Sequence, residues 1–109
     1  MTGQWKKVAR LADLEPEYPT RIKLGEREVA LCLVDGEVFA IDNICSHAYA
    51  LLSDGHVEGH ELFCPMHGGS FDVRTGEAVG APCTVDLTVF PTKVEGDEVF
   101  LDVELVHVP

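Results

Sequence analysis

Two cysteine–histidine pairs, Cys45-Ser46-His47 and Cys64-Pro65-Met66-His67, stand sixteen residues apart in a chain of 109 residues. Thiolate and imidazole are soft to borderline ligands, suited to zinc, copper or iron–sulfur centres. Each pair is too tight for the i, i+4 arrangement of one helix face, so each reads as a loop that aims two donors at one point. Two such loops facing each other would enclose a metal centre. A structural zinc site could use the same donor types, but its usual spacings put two cysteines in one pair and two histidines in the other. Here each pair is mixed. That pattern suits a two-iron cluster in which the cysteines of the two loops meet on one iron and the histidines on the other.

Strands must position these loops. Glu28 to Val34 is apolar and partly β-branched, Asp35-Gly36 follows, and Glu37 to Ile41 is apolar again. Two such runs around Asp-Gly are a strong hairpin signal. Ala12 to Pro19 contains two prolines and reads as a loop. Thr20 to Leu24 alternates up to a turn at Gly25-Glu26. A second pair of strands, Leu87 to Val94 and Glu98 to Val106, flanks Glu95-Gly96-Asp97. In the latter strand Val99, Leu101, Val103 and Leu105 form an apolar face. A return strand between the ligand loops is expected within Ser53 to Phe63, with at most one short turn around Tyr49 to Ser53. No window has the period of a long amphipathic helix. The expected fold is all-β, with the two ligand loops projecting from one end of a small barrel or sandwich.

The chain carries 19 acidic and 8 basic residues, a formal net charge of −11. That argues against nucleic acid and anionic membrane surfaces, which attract basic patches. Nothing after Met1 resembles a secretory signal, and no run approaches the length of a membrane span. A cytoplasmic, reducing setting is the expectation, with thiols free or on metal rather than in disulfides. One domain over residues 1–109 is expected, with a cluster-binding region at about 43–83. No Ser/His/Asp constellation, phosphate loop or dinucleotide glycine motif is present.

Cys45-x-His47 and Cys64-x-x-His67, followed by Gly68-Gly69-Ser70-Phe71-Asp72, resemble the Rieske family over nearly the whole chain. The likeness is strongest to the small Rieske-type ferredoxins of bacterial aromatic-ring-hydroxylating dioxygenase systems. It implies antiparallel sheets with a [2Fe–2S] cluster, one per chain, held at the tips of two hairpin loops. It implies that Cys45 and Cys64 bind one iron and stay buried, while His47 and His67 bind the other nearer solvent. It implies an electron-transfer component rather than an enzyme. Electrons would come from a flavin-containing, NAD(P)H-dependent ferredoxin reductase and pass to the Rieske centre of a terminal oxygenase, the carrier itself being a monomer. A terminal oxygenase would need a mononuclear iron site of two histidines and a carboxylate with a large substrate domain, and 109 residues leave no room for one.

Neutral histidine ligands place less negative charge on the cluster than thiolates, which sets the class at roughly −150 to +300 mV. High-potential members of the family have serine directly after His-Gly and tyrosine two residues later, both donating to sulfur. They also have an extra, disulfide-joined cysteine in each loop. Here Gly69 and Phe71 stand at the first two places, and Met66 and Ala50 or a neighbour at the others, so the low end of the range is expected. Gly68 and Gly69 are expected to let backbone N–H groups approach the sulfides. Gly80-Ala81-Pro82 resembles the family's covering loop. Tyr49, Met66 and Pro82 are expected to frame a docking face.

Cys32 reads as a small buried hydrophobe and Cys83 as a residue without a ligand role. His56, His60 and His107 read as surface histidines, Trp5 and Tyr18 as packing residues, and Phe71-Asp72 as packing under the second loop. Two other readings compete: a small subunit of a larger reductase such as an assimilatory nitrite reductase, and a zinc-stabilised binding module.

Overall fold

The computed structural model describes residues 4–45, 50–66, 68–81 and 85–102. Its centre is an eight-residue strand. Strands β1 (Trp5–Arg10), β2 (Thr20–Leu24), β3 (Arg27–Val34) and β4 (Glu37–Asp42) come first. β5 (His56–Glu58), β6 (Glu61–Phe63), β7 (Ser70–Asp72) and β8 (Ala78–Gly80) follow. β9 (Val89–Phe90), β10 (Thr92–Glu95) and β11 (Glu98–Asp102) complete the set. They form three antiparallel sheets, ordered β1-β11-β10, β2-β3-β4-β9 and β5-β6-β7-β8. Among the described residues there is no α-helix, only 3₁₀ turns at Leu11–Asp13 and Leu52–Asp54. No described helix is long and apolar enough to cross a membrane.

The continuous apolar run of β3 has a physical cause. Successive side chains of a strand point to opposite faces, and both faces of β3 are covered. Val29 and Leu31 join a core with Leu14, Val38, Ala40, Phe90, Val99 and Leu101. Ala30, Cys32 and Val34 join a second core with Ile41, Cys45, Leu52, Leu62, Cys64 and Phe71. The central sheet therefore supports the β1-β11-β10 sheet on one side and the ligand-loop region on the other. The β3–β4 hairpin turns at Asp35-Gly36, with φ of +52° and +81°. Positive φ at both central residues matches the twist of the flanking strands, which is why Asp-Gly serves here.

Three expectations need correction. Leu87 to Val94 is not one strand. Phe90 pairs with Ala40 in the central sheet, whereas Thr92 pairs with Leu101 in another. Pro91 stands at the switch, where a residue without an N–H ends one ladder and lets the chain cross to the next. Ser53 to Phe63 holds two strands, β5 and β6, turning at Gly59-His60, with Gly59 at φ +61°. Tyr18 is 55% exposed and is not a packing residue. The short turn expected around Tyr49 to Ser53 is the 3₁₀ turn at Leu52–Asp54, which overlaps the end of that range. Val103 to Val106, expected to extend β11, lie outside the described residues.

Candidate metal centre

Each ligand loop begins at its cysteine, and both necks close the same way. The Cys45 N–H donates to the Ala50 carbonyl at 2.9 Å, and the Cys64 N–H donates to the Gly69 carbonyl at 2.7 Å. In both loops the bond spans five residues. The first loop leaves β4 and is reinforced by an antiparallel bridge between Ile44 and Leu51. The second joins β6 to β7, whose last rung pairs Phe63 with Ser70. A cysteine at each neck is thus held where the paired strands end.

The two thiols come from loops far apart in the chain and enter one core. Cys45 and Cys64 are each 4% exposed. They share a cluster with Leu52, Val57, Leu62, Phe71 and Val73. Buried soft donors on an apolar floor suit an iron–sulfur group, which water would otherwise reach. Pro65 and Met66 lie on the outside of the second loop, with Met66 56% exposed. Phe71 is fully buried, as expected for a residue packed under that loop.

His47 and His67 lie outside the described residues, as do Tyr49, Pro82, Cys83 and His107. Among the described residues, no three His, Cys, Asp or Glu side chains are gathered to hold a metal ion. Cys32 is fully buried, and desolvation pushes its thiol up to about 12, so it stays protonated and inert. His56 stacks on Phe63 at 5.0 Å and meets Glu58 through Nε2 at 2.9 Å. His60 stands edge-on to Phe39 at 5.7 Å.

Gly68 has φ +75°, which favours glycine, and its N–H donates to the Cys64 carbonyl at 3.3 Å, which tightens the neck. Two polar residues whose importance the cysteine–histidine pattern does not reveal flank the necks. Asn43 and Ser70 are fully buried. The Ser70 hydroxyl donates to the Glu61 carboxylate, and a Cβ at Gly80 would overlap that hydroxyl. Asn43 bonds to Glu28 and Ser53. The one signal for Asn43 in the sequence is a carboxamide two residues before Cys45, at the end of an apolar strand.

Comparison with known proteins identifies the domain. Residues 4–91 match the Rieske [2Fe-2S] domain. The ferredoxin component of the naphthalene 1,2-dioxygenase/salicylate 5-hydroxylase systems of Ralstonia sp is 42% identical over 104 residues, covering 95% of this chain and 100% of that protein. The Sphingomonas yanoikuyae B1 ferredoxin superposes with a TM-score of 0.86 at 35% identity, covering 91% of this chain and 98% of that one. A chain from the complex of reduced oxygenase and oxidised ferredoxin in carbazole 1,9a-dioxygenase superposes at 0.85 and 35% identity, covering 93% and 94%. The chain thus belongs to the Rieske [2Fe-2S] family, whose cofactor is a two-iron, two-sulfide cluster.

Proposed function

We propose that the chain is the one-electron carrier of an aromatic-ring-hydroxylating dioxygenase system, working as a single domain. It takes electrons from a flavin-containing NAD(P)H-dependent reductase and gives them to the Rieske centre of a terminal oxygenase. The observation that carries this reading is the end-to-end match to a dioxygenase ferredoxin component, at 42% identity over 100% of its length. A solved complex that pairs a similar chain with its oxygenase supports the direction of delivery. A reducing, cytoplasmic setting belongs to the same reading.

In this reading Cys45 and Cys64 hold one iron, and His47 and His67 hold the other. The bound cluster supplies a centre that accepts and releases one electron at a time. The chain's own residues do the rest. The apolar core around the two cysteines keeps water from the thiolates. The two neck bonds hold the cysteine backbones still, so little rearrangement accompanies a change of charge. Met66, exposed on the second loop, offers an adaptable apolar contact for a small transient interface, below about 1,200 Å². The net charge of −11 steers the chain toward basic docking faces.

Reconstitution tests the proposal. Purified chain, a candidate reductase, NADH and a candidate oxygenase should together give hydroxylated product, and omission of the chain should abolish it. Turnover should fall as salt rises. A cluster-loaded chain that accepts electrons from no flavoprotein reductase and reduces no ring-hydroxylating oxygenase would overturn the reading.

A further inference from the structure

We propose that Asn43 is a positioning residue for the first ligand loop, and that its carboxamide, not the strand pairing alone, sets where that loop sits. The inference rests on the reading above that Cys45 and His47 are ligands. Asn43 is fully buried and uses both backbone and side-chain groups to span the neck. Its N–H donates to the Glu28 carbonyl at 3.0 Å, and its carbonyl accepts from the Leu52 N–H at 2.7 Å. Its Oδ1 accepts from the Ser53 N–H at 2.6 Å. Its Nδ2 donates to the Ser53 hydroxyl at 2.9 Å and to the Glu28 carboxylate at 3.3 Å.

These partners fix the orientation of the carboxamide. The Ser53 amide can only donate, so the oxygen faces it. The Glu28 carboxylate can only accept, so the nitrogen faces that side. Only a carboxamide offers an acceptor and two donors in one plane, and glutamine would carry it one methylene further out. An aspartate would set a second carboxylate against Glu28. The network also runs outward: Arg21 grips Glu28 with bonds of 2.9 and 2.7 Å. Asn43 thus ties β3 to the entry and the exit of the loop at once. A buried amide with every partner satisfied specifies one geometry, because any displacement leaves groups unpaired in a low dielectric.

The test compares Asn43→Ala, Ser53→Ala and Ser53→Thr with Val99→Ala, which opens a hole in the core on the other face of the central sheet. Iron release to a chelator is followed by visible circular dichroism, each protein being held equally far below its own Tm. The line shape of the reduced-state EPR spectrum is recorded in parallel. Asn43→Ala should release iron about tenfold faster than Val99→Ala and broaden the EPR features, as expected for loss of satisfied buried hydrogen bonds. Ser53→Ala should release iron about threefold faster, and Ser53→Thr, which keeps the hydroxyl, should restore the wild-type rate. If Asn43→Ala does not fold, the two Ser53 variants decide alone. Release and line shape identical to Val99→Ala in every folded variant would overturn the inference. A wild-type chain without iron and sulfide, or a Cys45→Ser variant that keeps its cluster, would instead overturn the ligand reading.

Discussion

The Cys64 N–H reaches the Gly69 carbonyl at 2.7 Å while the Cys64 carbonyl accepts from the Gly68 N–H at 3.3 Å. Both backbone groups of this cysteine are therefore held by its own loop, and the glycine at φ +75° makes that possible. Alanine at position 68 meets no atom within 4 Å, so its cost is backbone strain and not overlap. Gly68→Ala should lower stability by about 1–2 kcal/mol, the cost of a left-handed residue with a Cβ. Chemical denaturation of the cluster-free protein measures this, and an unchanged midpoint would contradict it.

Gly55 fails for the opposite reason. A Cβ there would overlap the Phe63 carbonyl oxygen and approach the Leu52 carbonyl oxygen at 3.2 Å. Both are backbone atoms, which cannot rotate away. Phe63 immediately precedes Cys64, so any shift passes directly to the second neck. Gly55→Ala should cost about 2–3 kcal/mol, the range of overpacking, and should slow cluster assembly as well. A thermal melt together with the reconstitution rate checks both; a fully stable variant would remove the close approach from the account.

Cys32 and the nominated ligands separate on one assay. Cys32→Ala should keep full iron and acid-labile sulfide and lose about 1 kcal/mol, the cost of emptying a methyl-sized volume. Cys45→Ser and Cys64→Ser should each lose the cluster. In the native protein Cys32, with its thiol raised to about 12, should resist iodoacetamide near pH 8. Loss of iron from Cys32→Ala would show that the donor set is misassigned.

Position 71 bears on the midpoint potential. Phe71 is fully buried and has no hydroxyl, and Gly69 stands where high-potential members of the family have serine. Fewer donors to sulfur stabilise the reduced state less, so a potential of about −150 mV, at the low end of the class, is expected. Protein-film voltammetry measures it directly. A value above zero would refute the argument from missing donors.

Acid should weaken the fold through two carboxylates. Hydrogen bonding from Arg21 holds Glu28 below its ordinary 4.5, and Arg74 holds Asp72 below its ordinary 3.8. A carboxyl depressed in the folded state binds fewer protons there than when unfolded. Its contribution is complete above the ordinary value and is lost as pH falls through the lowered one. The Tm should therefore drop as pH falls below about 4.5, and Glu28→Gln should flatten that part of the curve while costing about 1 kcal/mol at neutral pH. A Glu28→Gln profile parallel to wild type would exclude Glu28 as a contributor.

Much of this molecule was legible from local chemistry. Asp35-Gly36 announces its hairpin because only a few residues accept positive φ in succession. The cysteine–histidine pairs announce a metal centre because few other patterns place those donors so close together. What stayed hidden depended on a partner distant in the chain. The hairpin that pairs Thr92 with Leu101 is local, but the crossing at Pro91 follows from Phe90 meeting Ala40, 50 positions away, which no local period encodes.

The same division governs the site. Donor types and their spacing follow from the order of residues, since ligand chemistry belongs to the side chains themselves. That Cys45 and Cys64 enter one core, and that Asn43 closes the first neck against Glu28 and Ser53, follows only from packing. A buried carboxamide and an exposed one look alike in a string of letters. Only the folded chain determines which polar group is cut off from water, and that isolation makes each of its hydrogen bonds hard to replace.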